Sequence, residues 1–317
     1  MELDIEIKNK LENLLDGYSL KELKNVSFEI INRYQNESGK GNVLINDDLR
    51  SKVYAVTRFP ATYKVVSDIL EKSLIKYKED IKSIIDFGSG SGSASLAAFN
   101  TFELEKITQL ERDDSMINVG QTLFNDLPIK NVSHYLKFDL TKDELKEKGD
   151  LVISSYVLNE LEPEDRINTI KKMWESTNKF MVIIEPGTPI GSEIIKEARS
   201  FVISLGGYVL SPCPHMNDCP IIKDDWCHFS TRVSRSKLHK ALKEGDSPFE
   251  DEKYSYIIFS KKEVNRCKAR ILRHPLIYNG YVSLTVCDQN GIENIKIGKK
   301  DKERYKLAHK ANVGDDI

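Results

Sequence analysis

The sequence stretch that decides the fold is Ile84-Ile85-Asp86-Phe87-Gly88-Ser89-Gly90-Ser91-Gly92-Ser93-Ala94-Ser95-Leu96. Residues Ser83 to Phe87 are mostly apolar, which predicts a short buried strand of a parallel sheet. Small residues from Ser93 onward are typical of a helix start that packs closely. Three glycines at alternate positions lie between them, where main-chain N–H groups can come close to a ligand. Together these features predict a nucleotide-binding turn between a strand and a helix.

The glycine spacing of this turn narrows the class of ligand. It is G-x-G-x-G rather than the G-x-x-x-x-G-K-[ST] of a phosphate-binding loop, and Asp86 precedes the first glycine by two residues. The pattern resembles motif I of the class I S-adenosylmethionine methyltransferases. A plain tight turn is the alternative. The candidate cofactor-binding residues in this stretch are Asp86, Gly88, Ser89, Gly90 and Gly92.

Acidic residues follow two further predicted strands. Glu111 ends an apolar run about twenty residues past the glycines, where nucleotide-binding folds place an acid that accepts hydrogen bonds from ribose. Asp113 and Asp114 are rivals for that role, and all three acids could instead be solvated. Asp139 follows the next predicted strand and could bind the adenine amino group, with a turn-capping role as the alternative.

The composition is that of a soluble chain with a full core. It has 317 residues, of which 40% are hydrophobic and 30% charged, enough for more than one module. No apolar run reaches membrane-spanning length, and the acidic N-terminus, Met1-Glu2-Leu3-Asp4, lacks a signal-peptide core. We therefore expect a cytoplasmic monomer without a membrane partner.

Positive charge is clustered rather than global. The net charge is −2, which gives no overall basic field but allows local basic patches. A basic run near the C-terminus comprises Lys299, Lys300, Lys302, Arg304, Lys306 and Lys310. Such runs are common in nucleic-acid-binding arms, with a solvated tail as the alternative.

The predicted elements divide the chain into three segments. Residues 1–80 are predicted to be helical, with one helix ending at Pro60 and Thr62 capping the next. Residues 81–262 alternate strands with helices, which predicts a doubly wound α/β sheet with its ligand at the carboxyl ends of the strands. Residues 263–317 are predicted to form a β-rich extension with a basic tail, and their Asp-Gln-Asn-Gly sequence predicts a hairpin turn.

Cysteines cluster in an insertion at residues 211–230. Cys213, Cys219 and Cys227 fall within fifteen residues, and thiolates are soft ligands that suit zinc and iron–sulfur centres. The spacing matches neither paired zinc-finger cysteines nor a ferredoxin run, so it predicts a metal without naming it. The candidates for a fourth ligand are Cys267, Cys287, His215 and His228. Three unrelated thiols are the alternative.

Several segments from about residue 50 onward carry a family resemblance. They are Arg58-Phe59-Pro60-Ala61-Thr62-Tyr63, the Asp86 to Gly92 loop, Cys213-Pro214-His215, Cys219-Pro220, Asp225-Trp226-Cys227-His228-Phe229, Glu250-Asp251-Glu252-Lys253-Tyr254-Ser255-Tyr256 and the strand containing Cys287. With these segments the chain resembles the mitochondrial small-ribosomal-subunit assembly proteins of methyltransferase-like type and their bacterial relatives.

The resemblance implies both cofactors and a partner. It implies a [4Fe–4S] cluster held by Cys213, Cys219, Cys227 and Cys287, with Cys267 at no ligand position. It also implies dependence on S-adenosylmethionine and association with small-subunit ribosomal RNA. The hypotheses are an rRNA methyltransferase acting in small-subunit assembly, a non-catalytic RNA-binding assembly scaffold, and a zinc-containing methyltransferase of another substrate.

The segment after the fourth predicted strand contains no motif that identifies a catalytic residue. It reads Ser155-Tyr156-Val157-Leu158-Asn159-Glu160-Leu161, without the Asn/Asp-Pro-Pro-Tyr of base amino-group methyltransferases or a cysteine for carbon methylation. Asn159 and Glu160 are its polar candidates. Both are expected to cap a helix and to face solvent.

Overall fold

A computed structural model describes residues 1–41, 44–45, 47–222, 224–243 and 245–317. The helices in these ranges are α1 (Ile5–Asn13), α2 (Leu20–Glu37), α3 (Asp48–Ser73), α4 (Ser93–Thr101), α5 (Asp114–Phe124), α6 (Pro163–Glu175), α7 (Pro189–Ser204), α8 (Lys237–Leu242) and α9 (Lys302–Lys310). None of the described helices has both the length and the apolar character needed to cross a bilayer.

The strands alternate with these helices through the middle of the chain and then follow one another near the C-terminus. They are β1 (Ser83–Phe87), β2 (Lys106–Glu111), β3 (Ser133–Lys137), β4 (Gly149–Ser155), β5 (Thr177–Pro186), β6 (Tyr208–Ser211), β7 (Phe229–Ser234), β8 (Phe249–Ser260), β9 (Arg270–Ile271), β10 (Leu276–Tyr278), β11 (Tyr281–Asp288) and β12 (Gly291–Gly298).

The chain forms two compact units, each built from segments that are distant in sequence. The first comprises Met1–Lys179 and Thr231–Glu252, and the second comprises Phe180–Ser230 and Lys253–Ile317. The three-segment division predicted from the order of elements is a different description and remains a prediction. The N-terminal helices and the C-terminal β-sheet that it named are both present.

In the first unit, β1 lies inside a parallel sheet. It pairs with β2 on one side and with β4 on the other, and β2 pairs in turn with β3. Strands β2 and β3 therefore lie on one side of β1. The next strand, β4, lies on the opposite side of β1. In doubly wound sheets, ligands bind where the order reverses in this way, outside the carboxyl ends of the strands. Here that point lies between β1 and β4.

The helical lead of the first unit contains one correction to the sequence analysis. Helix α3 runs without interruption through Pro60, so the predicted break there and the predicted cap at Thr62 are wrong. Its cap is Asp47, whose side chain accepts a hydrogen bond from the Arg50 N–H at 2.8 Å. Phe59 and Tyr63 are buried on either side of the proline. Packing of this apolar face outweighs the one backbone hydrogen bond that proline cannot donate.

In the second unit, β8 lies between β5 and β6 and runs antiparallel to both. Ile257 pairs with Ile183 of β5, and Phe259 pairs with Val209 of β6. All four side chains are fully buried. The predicted strand at residues 254–259 is therefore confirmed, and it is longer than the apolar run alone indicated.

The C-terminal sheet of the second unit is antiparallel. Strand β11 pairs with β9, β10 and β12, and the predicted hairpin turn is confirmed because Asp288 pairs with Gly291 across it. One face of this sheet packs in an apolar cluster with Ala308 of α9. The basic run is therefore partly on a packed helix rather than in a solvated tail.

Candidate functional site

A cavity of about 120 Å³ lies at the carboxyl ends of β1, β2 and β4, in the first unit. Its walls include four of the predicted cofactor residues: Gly88, Gly90, Glu111 and Asp139. The other three, Asp86, Ser89 and Gly92, are buried within the same loop and its flanking elements. The structure thus places the glycine loop and both predicted acids around one cavity.

The three glycines of the loop all have left-handed backbone conformations, but they meet different neighbours. A Cβ atom at Gly88 would lie 2.6 Å from Val157 Cγ2, and one at Gly92 would lie 2.6 Å from Phe124 Cζ. These two positions exclude side chains because the protein packs against them. At Gly90 the nearest atom is Met116 Cε at 3.4 Å. A side chain at Gly90 would therefore not collide with the protein, and the absence of one keeps the cavity open at this point of its wall.

Glu111 ties this loop to the end of β2. Its Oε2 accepts a hydrogen bond from the Gly90 N–H at 2.8 Å, and its Oε1 accepts from the N–H groups of Arg112 and Asp113 at 2.8 and 2.9 Å. Burial raises the pKa of Glu111, although these three hydrogen bonds oppose the shift. A carboxylate has about four acceptor positions, so Glu111, which lines the cavity, keeps about one for a ligand.

The other acids have local roles. Asp113 caps α5 by accepting from the Met116 N–H at 3.0 Å, and Asp114 is exposed. Asp139 accepts hydrogen bonds from Thr141, at 3.0 Å from its N–H and at 2.7 Å from its hydroxyl. Burial raises the pKa of Asp139, but these hydrogen bonds and the nearby Lys142 ammonium outweigh burial and hold the pKa below its usual value. Asp139 therefore forms a turn, as in the alternative interpretation, and also lines the cavity.

Asp86 contacts the helix start rather than the cavity. Its Oδ2 accepts from the Ser95 N–H at 3.1 Å and from the Ser95 hydroxyl at 2.7 Å. Its Oδ1 has no hydrogen-bond partner among the described residues. Burial raises the pKa of Asp86 to about 7. The acid before the glycines thus fixes the junction of β1 with α4.

Three cavity residues were not assigned from the sequence. Glu160 was expected to face solvent, and this expectation is wrong because it is half-buried in the cavity wall. Burial raises its pKa to about 7, an effect that the charge of Glu111 reinforces and a hydrogen bond with Tyr34 opposes. Tyr34 and Tyr54 also line the cavity, with ring centroids 5.5 Å apart. They come from α2 and α3, and no local pattern links those helices to the glycine loop.

A charged pair supports another wall residue, Tyr156, which follows β4. Tyr156 has φ of 62°, a left-handed conformation that is uncommon for a bulky residue and is often found at functional sites. The Arg58 guanidinium lies 5.3 Å from its ring centre. Arg58 also donates two hydrogen bonds to Glu252, at 2.7 and 3.2 Å. Two segments that carry the family resemblance therefore meet beside the cavity.

In the second unit, four thiols line a separate cavity of about 40 Å³. They are the predicted metal ligands Cys213, Cys219, Cys227 and Cys287. Cys267 does not line this cavity, and its Sγ lies 3.3 Å from Arg270 Nη2. Within the described residues, no group of three or more His, Cys, Asp or Glu side chains is placed to hold a metal ion.

The loop that carries three of these thiols is anchored by neighbouring elements of the same unit. Arg199 of α7 donates hydrogen bonds to the carbonyl groups of His215 and Asn217 at 3.0 and 2.6 Å. The Ser255 hydroxyl of β8 donates to the Cys227 carbonyl at 2.7 Å. Cys287 lies on β11, and its Sγ is 3.5 Å from His215 Nε2. The thiols are thus held together by hydrogen bonds between sequence-distant segments.

The electrostatics of this cavity disfavour free thiolates. Burial raises the pKa of Cys287 to about 12, and the charges of Cys213 and Cys219 add to the shift. Burial also raises the pKa of Cys227, with the same reinforcement from the other three thiols. A cation among the four sulfurs would reverse this effect, because metals bind cysteine as the thiolate.

These observations define a class of protein. The reversed strand order, the glycine loop and the acid at the end of β2 are those of a class I methyltransferase fold. An O-methyltransferase family protein from Burkholderia thailandensis has a similar fold, with a TM-score of 0.51 and 9% sequence identity. The similarity covers 77% of this chain and 71% of that protein.

Within that class, the chain belongs to the Rsm22 family. The family model, described as "Mitochondrial small ribosomal subunit Rsm22", matches residues 48–317, so the family resemblance predicted from the sequence is confirmed. The human protein named "Ribosome assembly protein METTL17, mitochondrial" is 26% identical over 256 residues, covering 74% of this chain and 55% of its own length. "Rsm22-cox11 tandem protein 2, mitochondrial" of Schizosaccharomyces pombe is 22% identical over 312 residues, covering 81% and 41%. The chain thus spans about half the length of these relatives.

Proposed function

We propose that this chain binds S-adenosylmethionine in the cavity between β1 and β4 and acts on, or with, small-subunit ribosomal RNA during ribosome assembly. The observation that carries the cofactor assignment is the placement of Glu111 and Glu160 on one cavity wall beside Gly90. S-adenosylmethionine has a positively charged sulfonium and ribose hydroxyl groups. Burial raises the pKa of Glu160, and the charge of Glu111 raises it further, so a cationic ligand with hydroxyl donors would suit this pair of carboxyl groups.

The residues around the cavity also suit a methyl acceptor. Bound there, S-adenosylmethionine would supply an electrophilic methyl group to a nitrogen or oxygen of RNA. The Tyr34 and Tyr54 rings offer an aromatic wall for a base, and orientation would supply most of the acceleration. In the alternative of a non-catalytic scaffold, the same cavity binds the cofactor but no methyl group is transferred. The lack of an Asn/Asp-Pro-Pro-Tyr segment after β4 keeps that alternative open.

Glu160 provides a pH test of the cofactor assignment. Its pKa of about 7 means that it becomes ionised as the pH rises through neutrality. An ionised carboxylate attracts a cation, so wild-type affinity for S-adenosylmethionine should rise about tenfold between about pH 6 and about pH 8, as expected for one charged contact. Calorimetry of Glu160→Gln should show affinity with little dependence on pH.

A control is needed because Asp86 also has a pKa of about 7. Asp86 contacts Ser95 rather than the cavity, so Asp86→Asn should keep the pH dependence of binding. A wild-type affinity that is the same at both pH values would count against the proposed role of Glu160. No binding of S-adenosylmethionine at either pH would overturn the cofactor assignment itself.

We further propose that Cys213, Cys219, Cys227 and Cys287 hold a [4Fe–4S] cluster, with zinc as the alternative. Support comes from the four thiols lining one cavity and from their mutual electrostatic repulsion. The buried guanidinium of Arg199, whose charge acts on the Cys213 thiol, suits an anionic metal–thiolate centre. The role would be structural, because the centre would join the loop at residues 212–228 to β11.

Ribosomal RNA binding is proposed for the basic run at the C-terminus. When lysine or arginine binds phosphate, counterions are released, so affinity falls steeply with salt. Neutralising Lys299, Lys300 and Arg304 together should weaken binding and reduce the salt slope by roughly one unit for each phosphate interaction that is removed. A salt titration of small-subunit rRNA binding measures both. The matched control neutralises three exposed lysines of the first unit, which are Lys76, Lys78 and Lys130. Equal slopes for both triple variants would refute the assignment.

A further inference from the structure

One face of the C-terminal sheet carries Cys287 at one end, where it packs beside Cys219 and Cys227, and its remaining residues have no function assigned above. Side chains along β11 alternate, and Val282, Leu284 and Val286 point into the apolar cluster that includes Ala308 of α9. Tyr281, Ser283 and Thr285 therefore point to the opposite face. Helix α9 packs against the first face through Ala308 and Tyr305, and its lysines are exposed. The second face is thus a separate surface from the basic helix.

Two tyrosines form a stacked pair on this second face. Tyr278 of β10 is paired in register with Tyr281 of β11, and their ring centroids are 4.8 Å apart with planes 16° apart. The Lys296 ammonium group of β12 lies 5.5 Å from the centre of the Tyr281 ring. Tyr278 is 46% exposed, so part of its surface is open to a ligand.

The centre of this face, beside the tyrosines, is polar and lacks negative charge, whereas Leu276, which pairs with Ser283, is an exposed apolar residue at its β10 edge. Cross-strand pairing places Lys296 opposite Ser283 and Asn294 opposite Thr285, so these residues share the face with the tyrosines. Hydroxyl groups, an amide and an ammonium group are donors suited to phosphate, sugar and base edges. At the tyrosine end, Gly298 pairs with Tyr281 and the chain continues directly into the exposed residues Lys299 and Lys300.

We propose that this face binds a single-stranded segment of RNA, with a base stacked on Tyr278 and the neighbouring phosphates near Lys296, Lys299 and Lys300. Aromatic platforms beside lysines bind single strands because every base has a face for stacking, whereas bases in a duplex are already stacked on each other. The exposed charges of Lys296, Lys299 and Lys300, with no acidic side chain among the described residues of this face, favour the anionic backbone of RNA over a basic protein segment. This inference rests on the proposed rRNA function and specifies the form of RNA that the chain recognises.

The test is fluorescence anisotropy with a short labelled single-stranded oligoribonucleotide and with the same strand annealed to its complement. Wild type should prefer the single strand. Tyr278→Ala should weaken single-strand binding by about tenfold or more, the usual effect of removing one stacked base, while Tyr278→Phe keeps the ring and should bind like wild type. Lys296→Gln should lower the salt slope by roughly 0.7, as for one phosphate contact on a single strand.

The matched control is Tyr77→Ala, because Tyr77 also has a lysine over its ring, with the Lys76 ammonium 5.1 Å from the ring centre, but lies in the first unit. It should bind RNA like wild type. Unchanged affinity of Tyr278→Ala, with wild type still binding RNA, would overturn the stacking platform and leave the rRNA proposal standing. Equal wild-type affinity for the duplex would also overturn the platform. No wild-type binding to either RNA or to small-subunit rRNA would overturn the rRNA proposal as well.

Discussion

Cys287→Ser, purified without oxygen, is expected to lose nearly all of the iron and acid-labile sulfide of the proposed cluster. Cys287 supplies the one thiol of the cavity that comes from β11, whereas the other three come from the loop at residues 212–228. A serine hydroxyl at neutral pH is protonated and is a hard ligand, so it does not replace a thiolate. Metal analysis and the visible absorption spectrum measure the loss.

Cys267→Ser is the matched control for this prediction. It removes a thiol of the same unit that does not line the cavity and instead accepts a hydrogen bond from Arg270, so iron content should match that of wild type. Full iron in Cys287→Ser, or its loss in Cys267→Ser, would show that the ligand set is wrong. Zinc in place of iron in anaerobic wild type would favour the zinc alternative.

The central part of the fold could be predicted because its signals are local. The apolar residues of β1 and β2 are buried, as expected of strands covered on both faces, and the two stretches are followed directly by the glycine loop and by Glu111. The hydrogen bond from the Gly90 N–H to Glu111 shows why that acid and that loop belong together. Spacing along the chain was sufficient here, because β1 and β2 are consecutive and adjacent.

The cavity wall was predicted less completely because several of its residues come from distant elements. Tyr34 and Glu160 are far apart in sequence, and their contact depends on how α2 packs against the rest of the unit. Asn159 contacts the same region, with its side-chain amide 3.4 Å from the Ser38 hydroxyl. A polar residue that follows a strand is predicted to be exposed unless it is known that helices cover that end of the sheet. The same reasoning explains Pro60, where buried packing of α3 overrides a local helix-breaking signal.

The cysteine site could be predicted in part, less completely than the central strands and more completely than the cavity wall. The spacing of Cys213, Cys219 and Cys227 predicted a shared centre, and their common cavity agrees with that grouping. Spacing does not decide the fourth ligand, because Cys287 is sixty residues beyond Cys227. The structure places both Cys287 and His215 on the cavity wall. The choice of Cys287 therefore stays a prediction until metal content is measured.

Gly90→Leu is expected to abolish binding of S-adenosylmethionine while the protein remains folded. Gly90 lines the cavity, its N–H is held by Glu111, and only the flexible end of Met116 lies near the position of a new Cβ atom. A larger side chain would therefore enter the space proposed for the cofactor instead of disrupting the core. Gly88 and Gly92 would be poorer choices, because side chains there would collide with Val157 and Phe124. Calorimetry measures the affinity.

The backbone strain of this substitution requires a matched control. Gly90 has φ of +54°, a left-handed conformation in which a non-glycine residue costs roughly 1 to 2 kcal/mol. Gly17, in the same unit, has φ of +88° and no atom within 4 Å of a new Cβ. Gly17→Leu should therefore show a similar fall in unfolding free energy by urea titration, yet bind S-adenosylmethionine like wild type. Wild-type affinity in Gly90→Leu would place the cofactor elsewhere, and loss of binding in both variants would mean that strain alone is responsible.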